Sequence, residues 1–343
     1  MLTVPFLTVI GCNKSTDPNV LRIATAGKDM KPACIIIAQH LGYFEEEGIT
    51  VEFVTASGLH DGLVAVDMGK LDIMPYGIIS QSTFVSQGTD VVLFSGTVTE
   101  GGEIITLPEN AKSLDTLEKF RNKRIGCYRM ETGQMVLRGL LRDAGFDLEK
   151  DVEFIYMGSF QIIIESVQKG TIDMGVLSSG GGYIALQAGL AVAGRVGDWK
   201  PGFPCCRMST SRETFNKKRE SLVAFQIANL RAYDIFLNDR QKAITTLMEF
   251  SGQPEDYVTA VLFGLEGIYE SAMIISLDPC RNKIIEFYET MKKNGDIDKN
   301  TPYDIADHID GSVYTDALKE LIRRGDNPSL YQRLLDEYDV NNR

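Results

Sequence analysis

Glu131-Thr132-Gly133-Gln134 stands immediately before an apolar helical run and is the sharpest chemical feature of the sequence. Small residues let backbone N–H groups approach an anion, and the first turn of a helix adds partial positive charge. Thr132 at such a position either caps the helix or leaves its N–H groups to an oxyanion. Similar tips rich in Gly, Ser and Thr recur at Lys28 and Asp29, Ser57 and His60, Tyr76 and Gly77, Gly96, Ser159 and Phe160, and Ser178 and Ser179. With Glu131, Thr132, Gly133 and Gln134, these are the candidate ligand-binding residues. Two chemistries are open. A sulfonate or nitrate would draw on helix N-termini and a cationic partner, Lys28 or Arg129. A heterocycle would draw on Tyr76, Phe160 and the carboxylates of Asp29 and Glu131.

Signals for catalysis are sparse. The histidines are His40, His60 and His308, and His40 sits in an apolar helical run where a packed imidazole is the default. No GxSxG elbow, Walker loop or metal-ligand spacing occurs, so no cofactor and no metal are expected. Cys34 and Cys127 lie in apolar contexts and read as buried small hydrophobes. The adjacent Cys205 and Cys206 are less ordinary. They suit a strained vicinal disulfide or a soft metal, although packing is the expected role.

The tips need elements to hold them, and a repeat shows what those are. Val51-Glu52-Phe53-Val54 leads to Gly69-Lys70-Leu71-Asp72, and Val152-Glu153-Phe154-Ile155 leads to Gly170-Thr171-Ile172-Asp173. Each reads as strand, helix, tight turn, strand. Strands are expected at Leu21–Ala26, Ile49–Val54, Leu71–Met74, Val91–Ser95, Lys123–Cys127 and Ala191–Val196, with helices between them. The fold class is therefore α/β, with two lobes, each a mainly parallel sheet covered by helices. Ligands of open α/β sheets bind outside the carboxyl ends of the strands, where the Gly-rich tips lie. Beyond Glu213 the pattern changes to long amphipathic helices, a helical C-terminal extension. Asp72 and Asp173 are expected to hold turns and strands; Ser57–His60 and Gly158–Phe160, which differ between the units, are expected to set specificity.

The formal charge of −12 argues against nucleic acid as a partner, because phosphate binding needs a concentrated basic surface. Leu2–Gly11 is apolar but too short to span a bilayer, and Val9-Ile10-Gly11-Cys12 precedes a polar linker. This resembles a bacterial lipobox, in which Cys12 is lipidated, although no Lys or Arg precedes the apolar run. Residues 1–20 are accordingly expected to be a lipoprotein signal remnant and linker.

Ala38-Gln39-His40-Leu41-Gly42-Tyr43-Phe44-Glu45-Glu46-Glu47-Gly48-Ile49, together with Gly69-Lys70-Leu71-Asp72-Ile73, resembles the substrate-binding proteins of bacterial nitrate, taurine and aliphatic-sulfonate ABC importers. That family also includes binders of pyrimidine precursors of thiamine. The resemblance implies a type II periplasmic-binding-protein fold with crossovers near Thr99–Leu107 and Phe203–Thr210. Lobe 1 would comprise residues 21–104 plus 205–343, and lobe 2 residues 105–204. It further implies a monomer, not an enzyme, held outside the membrane through a lipid anchor at Cys12. The lobes would close on a small-molecule ligand and deliver it to an ABC permease. Pro204-Cys205-Cys206-Arg207 departs from the sulfonate-binder pattern and resembles the multi-cysteine motif of fungal thiamine-pyrimidine synthases, an enzyme alternative on the same fold.

Overall fold

A computed structural model describes residues 17–343. The expected lipidation site Cys12, and most of the expected 1–20 leader, lie outside these residues. Ten strands are formed among the described residues: β1 (Val20–Thr25), β2 (Thr50–Thr55), β3 (Val91–Glu100), β4 (Glu103–Thr106), β5 (Lys123–Cys127), β6 (Val152–Tyr156), β7 (Met174–Leu177), β8 (Ala191–Arg195), β9 (Pro204–Ser211) and β10 (Met273–Ile275). One lobe holds the pair β1-β2 and the sheet β10-β3-β9; the other holds β6-β5-β7-β4-β8. Single bridges from Ile23 to Ile73 and from Met74 to Ser209 connect the first two sheets. The first lobe thus reads β2-β1-(Ile73, Met74)-β9-β3, matching β6-β5-β7-β4-β8 of the second. The expected strand at Leu71–Met74 shrinks to these bridges, because Pro75 has no N–H with which to extend it.

Pairing is parallel within the repeated units, β1 with β2 and β5 with β6 and β7. It is antiparallel where β4, β8, β9 and β10 are involved, and of these β4 and β9 are the strands that the chain enters on passing from one lobe to the other. The chain passes from β3 to β4 through Gly101 and Gly102, and comes back between β8 and β9.

The repeat proves to be one structural device used twice. Asp72 accepts from the backbone N–H of Arg22 at 2.8 Å and faces its Nε at 3.4 Å, while Arg22 Nη2 donates to the Gly69 carbonyl. Asp173 accepts from Arg124 N–H at 2.8 Å and Nε at 3.0 Å, and Arg124 Nη2 donates to the Gly170 carbonyl. Gly69 and Gly170 adopt φ of +66° and +67°, a turn that a side chain would strain. Each aspartate ties its turn to the neighbouring strand. The two copies differ in burial: the Asp72 side chain is 3 % exposed and also meets Lys218 Nζ at 2.9 Å, whereas Asp173 is 32 % exposed.

Long helices of the C-terminal third cover the first lobe. Arg219–Asn238 packs on Ala33–His40 and on Ser312–Arg324, and Phe225 stacks on Phe44 at 5.3 Å. Arg281–Asn294 behaves differently and packs on helix Thr132–Asp143 of the other lobe. Its buried face of Ile284, Phe287, Tyr288 and Met291 joins the core that contains Met135 and Leu141. Asn294 Nδ2 donates to the Met135 carbonyl at 3.0 Å, and Arg138 pairs with Asp296 at 2.7 Å. Among the described residues no helix is long and apolar enough to cross a membrane.

Glu103, fully buried at the start of β4, accepts hydrogen bonds from Tyr269 Oη and from Gly182 N–H at 3.0 Å, tying β4 to the loop before β10. Burial raises its carboxyl to about 7, although these hydrogen bonds and Arg195 oppose the shift. A carboxyl raised in the folded state favours folding most when protonated. Its contribution is full below the unfolded value of about 4.5 and is lost as pH rises toward 7. Glu103→Gln, which stays neutral, is therefore expected to be more stable than the wild type above pH 7 by a few kcal/mol, with the gap closing below about pH 4.5. Thermal unfolding of both proteins across pH 4–8 checks this.

Candidate functional site

The strand tips of the two lobes meet around two adjoining chambers of about 260 and 300 Å³. Asp29, Lys31, Phe160 and Ser178 line both. The first chamber adds Leu59, Tyr76 and Gly77 from one lobe, Tyr128 to Thr132 from the other, and Cys205 and Cys206 from the crossover strand β9. The second adds Lys28, Ser179, Gln253 and Tyr257. Contacts are thus divided between both lobes and a strand connecting them.

Local sequence explains the placement. Gly77 has φ +70° and starts helix Ile78–Ser86, so the chain turns directly from the bridge at Met74 into the helix. Gln81 Nε2 donates to the carbonyls of Tyr76 at 3.0 Å and Arg207 at 2.7 Å, fastening that turn to β9. The Tyr76 hydroxyl accepts weakly from Ala26 N–H at 3.4 Å, and burial raises its pKa. Asp29 Oδ1 accepts from Lys31 N–H at 2.9 Å, a turn that directs residues 29–31 toward the chamber before Pro32.

At the sharpest sequence motif the cap is Glu131 rather than Thr132. Its buried carboxylate accepts from Gly133 N–H at 3.0 Å and Gln134 N–H at 2.5 Å. The donors expected to be free for an oxyanion are taken by the protein's own anion. Burial raises the Glu131 pKa, while these two hydrogen bonds and the charge of Lys31 act to lower it. Its oxygens keep unused lone pairs, so further N–H donors can be accepted from the chamber.

Lys31 is the residue that sequence reasoning missed. Its side chain is 19 % exposed, with Nζ 3.9 Å from Asp29 Oδ2. Burial acts to lower its pKa, but Asp29, Cys205, Cys206 and Glu131 outweigh burial and hold the ammonium well above the ordinary lysine value. Tyr128 in the first chamber and Gln253, Tyr257, Val261 and Met273 in the second are further lining residues that were not foreseen, while Leu59 and Met130 belong to expected tips. Tyr128 meets Phe160 edge-on at 5.2 Å, and Arg129 lies over the Tyr156 ring at 4.4 Å.

Seven of the expected residues line the first chamber or both: Asp29, Tyr76, Gly77, Glu131, Thr132, Phe160 and Ser178. Lys28 and Ser179 line the second. The other six line neither. Ser57 is exposed and bonds to Asp61, and His60 is exposed with its ring edge-on to Phe84 at 5.0 Å. Gly96 donates its N–H to the Leu277 carbonyl at 2.9 Å, and a Cβ there would lie 2.3 Å from the Ser276 oxygen. Gly133 is set against Gly102 so closely that a Cβ would come within 2.6 Å of the Gly102 Cα. Gln134 is buried and donates to Tyr156 Oη, and Ser159 caps its helix by accepting from Ile162 N–H.

Among the described residues no group of three or more His, Cys, Asp or Glu side chains is arranged to hold a metal. The lining offers a small organic molecule aromatic and apolar walls, the carboxylates of Asp29 and Glu131, the half-buried ammonium of Lys31 and the more exposed cations of Lys28 and Arg129.

Sequence comparison with curated proteins finds no significant match. Solved structures share the fold. The aliphatic sulphonate binding protein SsuA of Escherichia coli is 16 % identical with a TM-score of 0.69, covering 87 % of this chain and 99 % of its own. The nitrate-binding protein NrtA of Synechocystis PCC 6803 is 13 % identical with a TM-score of 0.70, covering 88 % and 89 %. The desulfurization enzyme DSZB, 12 % identical with a TM-score of 0.60, covers 88 % and 99 %. These likenesses establish the two-lobed type II periplasmic-binding-protein fold. The NMT1/THI5 like family matches residues 30–243, well over half of the chain, and the protein belongs to that family.

Proposed function

We propose that the protein is an extracytoplasmic solute-binding protein that hands its ligand to an ABC importer permease, and that the ligand is a pyrimidine-type nitrogen heterocycle. One jaw is residues 21–102 with 204–343 and the other residues 103–203, within two residues of the expected division, with helix Arg281–Asn294 of the first packed against the second. The protein works as a monomer tethered through Cys12. Because the lining is shared between lobes, only a closed state makes every contact, so ligand and closure favour one another.

One observation carries the ligand class. Glu131 occupies the N-terminus of helix Thr132–Asp143, so a sulfonate, taurine or nitrate approaching that helix would face a buried carboxylate with the Gly133 and Gln134 N–H groups already taken. A heterocycle bearing an amino group donates to Glu131 and Asp29 and lays its ring among Tyr76, Tyr128 and Phe160. Thermal-shift screening of aminopyrimidines, taurine, alkanesulfonates and nitrate tests this. An aminopyrimidine is expected to raise the melting temperature, since a ligand bound only to the folded state stabilises by mass action. A rise confined to sulfonates or nitrate contradicts the assignment.

The second reading, an enzyme resembling thiamine-pyrimidine synthases, is favoured by Cys205 and Cys206 lining the first chamber. No histidine is among the residues lining either chamber, which weighs against it. Turnover of the bound heterocycle by the purified protein would establish the enzyme reading.

A further inference from the structure

Cys205 and Cys206 lie in the bulged part of β9, where Val98 pairs with Cys206 and Thr99 with Pro204, leaving Cys205 without a partner in register. In a regular strand neighbouring side chains point to opposite faces. At this bulge both line the first chamber, and their Sγ atoms are 3.7 Å apart. The pair is buried, yet it borders a cavity that admits small molecules. Lys31, Asp29, Glu131 and the Gly77 N–H are the charged and polar groups that act on it.

We propose that Cys205 and Cys206 form a reversible dithiol–disulfide site opening on the ligand cavity, oxidised by small peroxides. The two thiols share one titration, in which the hydrogen bond from Cys205 lowers Cys206, aided by Lys31 and Gly77, while burial opposes this; Cys205 is raised. The Cys206 thiolate attacks one oxygen of hydrogen peroxide, forming a sulfur–oxygen bond, breaking the O–O bond and releasing hydroxide. The Cys205 sulfur then attacks the sulfenic sulfur of Cys206, forming the S–S bond and expelling the second oxygen. The hydroxide takes up the proton lost from Cys206, and the thiol proton of Cys205 leaves with the second oxygen. In sum, two thiols and one peroxide give a disulfide and two waters.

The other described cysteines make poor competitors. Cys34 and Cys127 are buried, with burial raising both thiols, and burial raises Cys280 to about 11. Adjacent Cα atoms are about 3.8 Å apart, below the usual span for a disulfide, so the bond is strained and readily reduced.

Intact mass spectrometry of the full chain, before and after hydrogen peroxide, reads the chemistry directly. A loss of about 2 Da, reversed by dithiothreitol, is expected, with peptide mapping of the wild type placing the bond between Cys205 and Cys206. Cys206→Ser is expected to abolish the loss, and Cys205→Ser to leave a sulfenic acid on Cys206 that dimedone traps. Lys31→Met is expected to slow oxidation, because the thiolate loses its cation. An unchanged mass, a bond mapped elsewhere, or a mass loss that persists in either cysteine variant overturns the proposal. None of these readings involves a ligand, so their failure is distinct from failure of the binding assignment.

Discussion

Asp72→Ala is expected to lower the unfolding free energy by about 3–5 kcal/mol, while Asp173→Ala costs about 1 kcal/mol or less. The two residues occupy matching places in a repeated unit, so sequence alone would assign them equal weight. Burial separates them. Asp72 is the shared anion for Arg22 and Lys218, whose side chains are 9 % and 12 % exposed. Removing it strands two cations in the interior and frees the Arg22 N–H. Arg124, by contrast, is 41 % exposed, and water can replace its partner. The Asp173 carboxyl is held below the ordinary value, chiefly by its hydrogen bond with Arg124. That contribution is present above the unfolded pKa and fades as pH falls through the lowered one, so the small Asp173→Ala deficit is expected to vanish in acid. Urea midpoints for both variants at pH 7, with unchanged denaturant slopes, provide the check. Equal losses at the two sites would show that burial does not set their difference.

Lys31→Met is expected to weaken aminopyrimidine binding about 100-fold, or between 2 and 3 kcal/mol. The substitution keeps an unbranched side chain but removes the cation facing Asp29, Glu131 and the cysteine pair. Without it, the Glu131 carboxyl rises further and spends more of its time protonated, when it accepts less well from a ligand N–H. Binding by the variant should recover partially as pH is raised, a response that a purely steric defect would not give. Stability should fall as well. The Lys31 pKa is raised on folding, so its contribution is fully present at neutral pH and is lost only above the ordinary lysine range. Titration calorimetry at pH 6, 7 and 8 separates the charge effect from packing.

Much of the framework is legible in the chain because the relevant signals are local. Alternation marks β1 and β5, and Gly69 and Gly170 mark turns whose aspartates reach back to the neighbouring strand. Helices Glu255–Phe263 and Pro328–Asn341 are less visible. The first is short and rich in residues that also suit strands, and the second buries only Leu330, Tyr331 and Leu334. The site is only partly legible for a different reason. Asp29, Tyr76, Glu131 and Phe160 stand at strand tips and advertise themselves. Lys31 is held charged first by Asp29, two residues away, and then by Cys205, Cys206 and Glu131, residues far along the chain that no spacing connects to it. Thr132 looked like the cap because hydroxyls favour that place, but the longer Glu131 side chain reaches two N–H groups at once.

The central claim is that a carboxylate-capped, aromatic-lined cleft selects a nitrogen heterocycle over a small oxyanion. Titration calorimetry of the wild-type protein with an aminopyrimidine and, separately, with taurine and nitrate tests it most directly. One-to-one binding of the aminopyrimidine, without heat from either anion, is the expected result. Saturable binding of taurine or nitrate with none by the heterocycle would contradict it.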